Sequence, residues 1–511
     1  MSDKAEERTE KPVEEKKPAP HDQLVTTEHR IFLDGKEIAY TVTTGTLVLK
    51  EESEKTGDKA GEAEGEKPKA TVFFIAYTLK DVNDTAQRPV TFSFNGGPGS
   101  ASVWLHLGAL GPRRVVMDDL GQLPPPPYRL TDNAYSLLDQ TDLVFIDPMS
   151  TGYSRPVAGE KAKDFLNFKK DIESVGDFIR LYTTRYQRWL SPKFLIGESY
   201  GTTRAAGLSG YLQERHGLYL NGIMLVSSIL DFGTDTAQPG NDLPYILYLP
   251  TYAATAWYHQ RLKGRLQKDL RKTLAEVEVF ALGDYTHALM RGAALSPKAR
   301  AATIDQLARY TGLSADYIDR VNLRIEIMRF TKELLRSQRR TVGRLDGRFT
   351  GIDRDSGGET FEHDPSMSAI IGPYTAALYD YVRRELGFES DLPYEVLNSK
   401  ANEQWSFGQH ENRYVEVAET LRKAMAINPY LKVFVANGFY DLATPYFATE
   451  YTFNHLSLDP SLQVNISMSY YEAGHMMYIH LPSLAKLKQD LAAFIHSALP
   501  ATEGDHLVVE S

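Results

Sequence analysis

The sequence predicts an α/β fold, with a mostly parallel central sheet, flanking helices and a long helical insertion. Three observations point there. Compact apolar runs at 142–146, 193–196 and 222–227 read as strands buried on both faces. Helix-like segments such as 202–212 alternate with them, which is the rhythm of parallel βαβ units. Strand signals lapse after residue 232 and return only at 431–436 and 464–471.

Along the chain, 29–50 has strand-like alternation around Asp34-Gly35, a hairpin signal. The Glu/Lys/Gly-rich run 51–69 has almost no large apolar residues and reads as a mobile loop between strands. Strands follow at 70–80 and 89–94, and the prolines at 124–127 mark an extended surface connection. From 251 to about 345 the periodicity is helical, with Ser296-Pro297 and Ser314 as helix starts, and a last helix spans 483–497. The expected organisation is a disordered charged tail (1–22), a first core part (23–232), a helical cap insertion (233–428), a second core part (429–500) and a C-terminal tail (501–511).

Composition narrows the function. A net charge of −10 argues against a nucleic-acid partner, and the arginines of 324–348, without interleaved aromatics, read as a solvated helical face. Cysteine is absent, which suits a reducing compartment. No apolar run approaches the roughly 18 residues of a membrane span, and 1–20 has no apolar h-region, so the expected address is cytoplasmic, with no membrane partner. No metal-ligand spacing and no glycine-rich phosphate cradle is present, so no cofactor is expected. The sequence leaves the oligomeric state open.

The chemistry centres on Gly197-Glu198-Ser199-Tyr200-Gly201. Gly-x-Ser-x-Gly alone is a weak signal, with about 0.2 chance matches in a chain of this length. Its flanks strengthen it: an apolar strand runs in and a helix runs out, the context of a nucleophile elbow that lifts a serine above the sheet. A serine hydroxyl needs a base, itself oriented by a carboxylate. In α/β-hydrolases these follow in the order Ser, Asp, His on loops after strands. Asp441 follows the strand 431–436 and His475 follows the strand ending near 471, so both stand where that order requires. For the oxyanion, the Tyr200 N–H is one donor, and Gly97, in Asn95-Gly96-Gly97-Pro98-Gly99 after the 89–94 strand, is the other.

Asn95-Gly96-Gly97-Pro98-Gly99, Leu110-Gly111-Pro112, Asp147-Pro148 with Thr151-Gly152-Tyr153-Ser154, Gly197-Glu198-Ser199-Tyr200-Gly201 and Gly474-His475-Met476 together resemble the serine carboxypeptidase family. The resemblance covers about 90–232 and 431–482. It implies an α/β-hydrolase with a helical cap that removes C-terminal residues from peptides through an acyl-enzyme. It makes Ser199, Asp441 and His475 the triad, and it gives Asn95 and Glu198 the substrate's terminal carboxylate. The chain departs from the pattern at three places. Ser100 stands where the family usually has Cys, Ser93 where it usually has Trp, and Ala109 where many members carry a second Glu. His106, one helical turn before Ala109, is a candidate replacement partner for an anionic group. With one acid where such relatives have two, peptide hydrolysis is expected nearer neutrality. An acyltransferase or esterase on the same triad, and a non-catalytic binding protein on this fold, are the competing readings.

Overall fold

Apolar residues on both faces of the central strands oblige helices to cover the sheet from both sides. The structure, a computed structural model, describes residues 20–54, 63–410 and 412–500. Its strands are β1 (Gln23–Leu33), β2 (Lys36–Glu54), β3 (Ala63–Leu79), β4 (Val90–Phe94), β5 (Asp142–Ile146), β6 (Lys193–Ser199), β7 (Gly222–Ser228), β8 (Lys432–Gly438) and β9 (Ile466–Tyr471). With a short strand, Arg155–Pro156, beside β3, they form one 10-stranded sheet in the order β1-β2-β3-β5-β4-β6-β7-β8-β9. β1, β2, β3 and β5 pair antiparallel in succession, and every pair from β5 to β9 is parallel. Alternate residues enter two separate cores: Phe194, Ile196, Met224 and Val226 on one face, Leu195, Ile223 and Leu225 on the other. The helices α1 (Phe168–Arg185) and α2 (Tyr200–His216) belong to the second face.

The strand order reverses at β4. β5 lies on one side of it and β6 on the other, so the crevice at the carboxyl ends of β4 and β6 is where a ligand site is expected in an open α/β sheet. Phe94 at the end of β4 pairs with Gly197 of β6, which sets the Asn95 loop beside Glu198 and Ser199. A buried ion pair fixes this junction. Arg204 of α2 bonds Asp171 of α1 (Nε to Oδ2, 2.9 Å), donates to the Asn95 carbonyl (2.5 Å), and lies over the rings of Phe94 and Tyr200.

Residues 233–428 lie between β7 and β8 and include α3 (Leu243–Tyr258), α4 (Leu270–Phe280), α5 (Pro297–Thr311), α6 (Pro365–Asp380), α7 (Ser399–Glu403) and α8 (Ala418–Ile427). Ser296 and Ser314 cap their helices as expected, accepting from Ala299 N and Tyr317 N. Tyr252, Leu274 and Phe330 form an apolar cluster that continues into Phe439, Tyr446 and Phe447 after β8. α9 (Tyr446–Asn454) and α10 (Leu481–Ser497) complete the core.

Three expectations are corrected. The run 51–69 is not wholly a loop: β2 extends to Glu54 and β3 begins at Ala63, because a two-stranded ladder needs only backbone partners and tolerates polar side chains in water. The middle of that run, with 1–19 and 501–511, lies outside the described residues, whereas Asp22, assigned to the tail, accepts from Val48 N at 2.8 Å. The arginines of 324–348 do not share a helix. Only Ile327–Glu333 is α-helical, and Thr341–Val342 pairs with Thr350–Gly351 as a small hairpin. Arg348 in that hairpin is buried against Asp346 (2.7 Å) and is not on a solvated face.

Asp171→Ala leaves the buried Arg204 charge uncompensated and is expected to remove about 3–5 kcal/mol of stability in urea unfolding. The double variant Asp171→Leu/Arg204→Met is expected to recover most of that loss; no recovery would show that the pair is not the source.

Candidate active site

The elbow is built by close approach. Ser199 ends β6 with φ 60° and ψ −130°, a conformation that costs a non-glycine residue about 1–3 kcal/mol and persists only where its surroundings enforce it. The turn is so tight that a Cβ on Gly197 would sit 2.2 Å from the Gly201 carbonyl oxygen. The neighbouring loop is as close: a Cβ on Gly96 would sit 2.5 Å from the Tyr200 nitrogen. The Gly96-Gly97 backbone is thereby held against the first turn of α2, where unpaired N–H groups and the helix dipole favour negative charge.

His475 and Asp441 meet behind Ser199. His475 Nδ1 and Asp441 Oδ2 are 2.8 Å apart, and both side chains are buried. Asp441 is further held by Ala443 N and Thr444 N on Oδ1 and by the Thr444 hydroxyl on Oδ2. A proton on Nδ1 given to Asp441 leaves Nε2 as the base. Burial pulls the imidazole pKa down, but the charge and hydrogen bond of Asp441 outweigh it, and the net shift is upward. The hairpin 341–351 braces both loops: His475 N donates to Leu345 O (2.6 Å), Gly474 N to Asp346 (3.0 Å) and Leu442 N to Arg344 O (3.1 Å). Ser199 shares a cavity of about 320 Å³ with His475, but its hydroxyl makes no hydrogen bond among the described residues. In unliganded sites such bonds are commonly long and tighten when substrate enters.

Glu198 precedes the serine and lines the same cavity. Its Oε2 accepts from Asn95 Nδ2 (3.0 Å) and from the Tyr478 hydroxyl (2.5 Å), and Asn95 Oδ1 accepts from Leu105 N (3.2 Å). Burial pushes its carboxyl up to about 7, against the lowering influence of His475 and of its two hydrogen-bond donors. A carboxyl that keeps its proton near neutrality can donate to a second carboxylate.

Of the residues singled out from sequence, Asn95, Gly97, Glu198, Ser199 and His475 line this one cavity. Asp441 stands behind His475, and Tyr200 reaches the site through its backbone. The alternative placed on His106 fails. It is buried, its Nε2 bonds the Tyr77 hydroxyl at 2.6 Å, and burial pulls its pKa down to about 3, so it is a neutral core residue. Ser100, in the usual Cys position, accepts from Trp104 Nε1 (2.7 Å), and Trp104 forms part of the cavity wall. Sequence reasoning missed Tyr478, Arg344, Leu345, Met367 and Asn402. Tyr478 follows His475 by three residues, a spacing that a turn after the histidine could have suggested. The other four come from 233–428, where no motif marks them. Among the described residues no group of three or more His, Asp or Glu could hold a metal ion, and no helix is long and apolar enough to cross a membrane.

Carbon-13 titration of the glutamate carboxyls is expected to show Glu198 titrating near pH 7. Tyr478→Phe removes a donor that favours the ionised form, so the midpoint moves up; a downward or absent shift would contradict this account.

The profile of the serine carboxypeptidase family matches residues 62–480. Pheromone-processing carboxypeptidase KEX1 of Saccharomyces cerevisiae is 34% identical over 135 residues, 25% of this chain and 17% of that protein. The corresponding KEX1 of Yarrowia lipolytica is 28% identical over 171 residues, 32% of this chain and 24% of that protein. The chain therefore aligns with less than a quarter of the length of either relative. The crystal structure of Kex1(Δ)p, a prohormone-processing carboxypeptidase from Saccharomyces cerevisiae, superposes with a TM-score of 0.53 at 15% identity, covering 90% of this chain and 93% of that one. By this match and its sheet topology, the chain belongs to the serine carboxypeptidase family and has the α/β-hydrolase fold.

Proposed function

We propose that this chain is a serine-type carboxypeptidase that removes C-terminal residues from peptides through an acyl-enzyme. The observation that carries the reading is one cavity holding Ser199 on a strained elbow, an Asp441-bonded His475, and a buried Glu198 with a raised pKa. His475 Nε2 takes the Ser199 proton as Oγ attacks the last peptide carbonyl. The Gly97 and Tyr200 amides stabilise the tetrahedral oxyanion. His475 then protonates the departing amine, the C–N bond breaks, and water hydrolyses the ester with His475 again as base. Protonated Glu198 and Asn95 hold the terminal carboxylate. Residues 233–428 act as a cap, since Leu345, Met367 and Asn402 of that segment wall the cavity. The cysteine-free sequence supports a cytoplasmic address, which cell fractionation tests.

Mass spectrometry of an N-blocked peptide is expected to show stepwise C-terminal loss, and Ser199→Ala is expected to lower kcat by on the order of 10⁴-fold or more without unfolding the protein. Ester cleavage without trimming would favour an esterase or acyltransferase. Lack of labelling of the wild type by an organophosphonate would favour a non-catalytic protein.

The two titrations oppose each other. Glu198 must keep its proton, which it loses above about pH 7, and His475 must lose its proton, whose pKa lies above the ordinary histidine value. Peptide kcat/KM is therefore expected to peak near neutrality and fall on both sides. An ester substrate without a terminal carboxylate is expected to keep the acid limb and lose the alkaline one. Identical profiles for both substrates would remove Glu198 from carboxylate binding.

A further inference from the structure

Arg344 is the one lysine or arginine among the described residues that line the cavity. Its backbone is pinned on both sides, the N–H by Asp364 (3.2 Å) and the carbonyl by Leu442 N (3.1 Å). The next residue, Leu345, carries the carbonyl that binds His475 N. The side chain is half-buried, yet among the described residues no carboxylate pairs with its guanidinium and no hydrogen bond engages it. Its neighbours differ: Arg348 is spent on Asp346, Arg336 on Glu333 and Lys332 on Asp353. Asp235 is near enough to feel its charge but bonds the Tyr248 hydroxyl instead. A guanidinium that shares the cavity with His475 and has no partner is poised for an anion from outside.

The walls of the cavity decide which anion. Asn402 and Glu403 stand on α7, which is tied to the oxyanion loop through Asn398 N to Gly99 O (2.8 Å) and Asn402 Nδ2 to Pro98 O (3.0 Å). Arg344 and Leu345 stand on the part of the wall bonded to the His475 and Asp441 loops, through His475 N to Leu345 O and Leu442 N to Arg344 O. Because His475 must deliver its proton to the leaving amine, the departing residue lies along the His475 wall. With the terminal carboxylate assigned to Glu198 and Asn95, the guanidinium in the same cavity is left for a second anionic group on the departing residue.

We propose that Arg344 is a specificity residue that binds the side-chain carboxylate of a departing C-terminal Asp or Glu. This rests on the carboxypeptidase reading and names its substrate class. The test compares N-blocked peptides ending in Glu, Gln and Lys, with a parallel set varied at the residue on the acyl side of the cleaved bond. The wild type is expected to prefer terminal Glu over Gln by roughly 10-fold or more in kcat/KM, with Lys poorest. In Arg344→Gln the Glu/Gln ratio is expected to fall to near one, Arg344→Lys retains part of it, and Arg344→Glu inverts the order towards Lys. Binding of the same peptides to Ser199→Ala protein reads the preference without turnover and is expected to rank them alike. An unchanged ratio in Arg344→Gln would overturn the proposal. So would a preference confined to the acyl-side residue, or a wild-type preference for Lys, which would assign selection to the exposed Glu403. If no peptide is trimmed at all, it is the carboxypeptidase reading that fails.

Discussion

The parallel pairing of β4 with β6 is the constraint on which the rest depends. With Phe94 opposite Gly197, two strands end side by side, and the loop that leaves one must pack against the elbow that leaves the other. There is no room between them for a Cβ at Gly96 or Gly197. The strain at Ser199 is maintained by this packing, and the packing is locked from below by Arg204, whose guanidinium bonds both Asp171 and the Asn95 carbonyl. One buried cation therefore ties a helix, an elbow and the Asn95 loop into a single unit. Rigidity matters because hydrogen-bond donors stabilise a developing oxyanion only if they are oriented before it forms.

Charge is distributed around this unit by burial. Asp441 is surrounded by donors and orients His475, while Glu198, equally buried, has only Asn95 and Tyr478 and keeps its proton to about pH 7. The two carboxyl groups differ in their hydrogen-bond shells rather than in their burial. His475 and Glu198 act on each other electrostatically, so their titrations are not independent.

The segment between β7 and β8 supplies both wall and support to the cavity. Its hairpin 341–351 supplies the carbonyl that holds His475 N, the carboxylate that holds Gly474 N, and the carbonyl that holds Leu442 N. The loops carrying His475 and Asp441 are thereby positioned by a part of the chain that contains neither. The same hairpin presents Arg344 to the cavity, so the element that steadies the His475 loop also places a charge in the cavity wall.

The sequence by itself determined the elements whose signals are local. Each apolar strand followed by a glycine turn was legible, and so were Ser199, Asp441 and His475, because a nucleophile elbow and a loop after a strand are encoded within a few residues of each side chain. The motif resemblance placed Asn95 and Glu198 for the same reason. Only the tertiary structure decided the roles that depend on long-range neighbours. His106 looked available one turn before Ala109, but Tyr77 of β3 takes its ring nitrogen. Arg344 and Arg348 read alike as surface charge, and folding buried one against Asp346 and left the other facing the cavity. Polar side chains carry no periodic signal for their partners. Which of them pair, which are desolvated and which remain open to substrate is settled by packing between segments far apart in the chain.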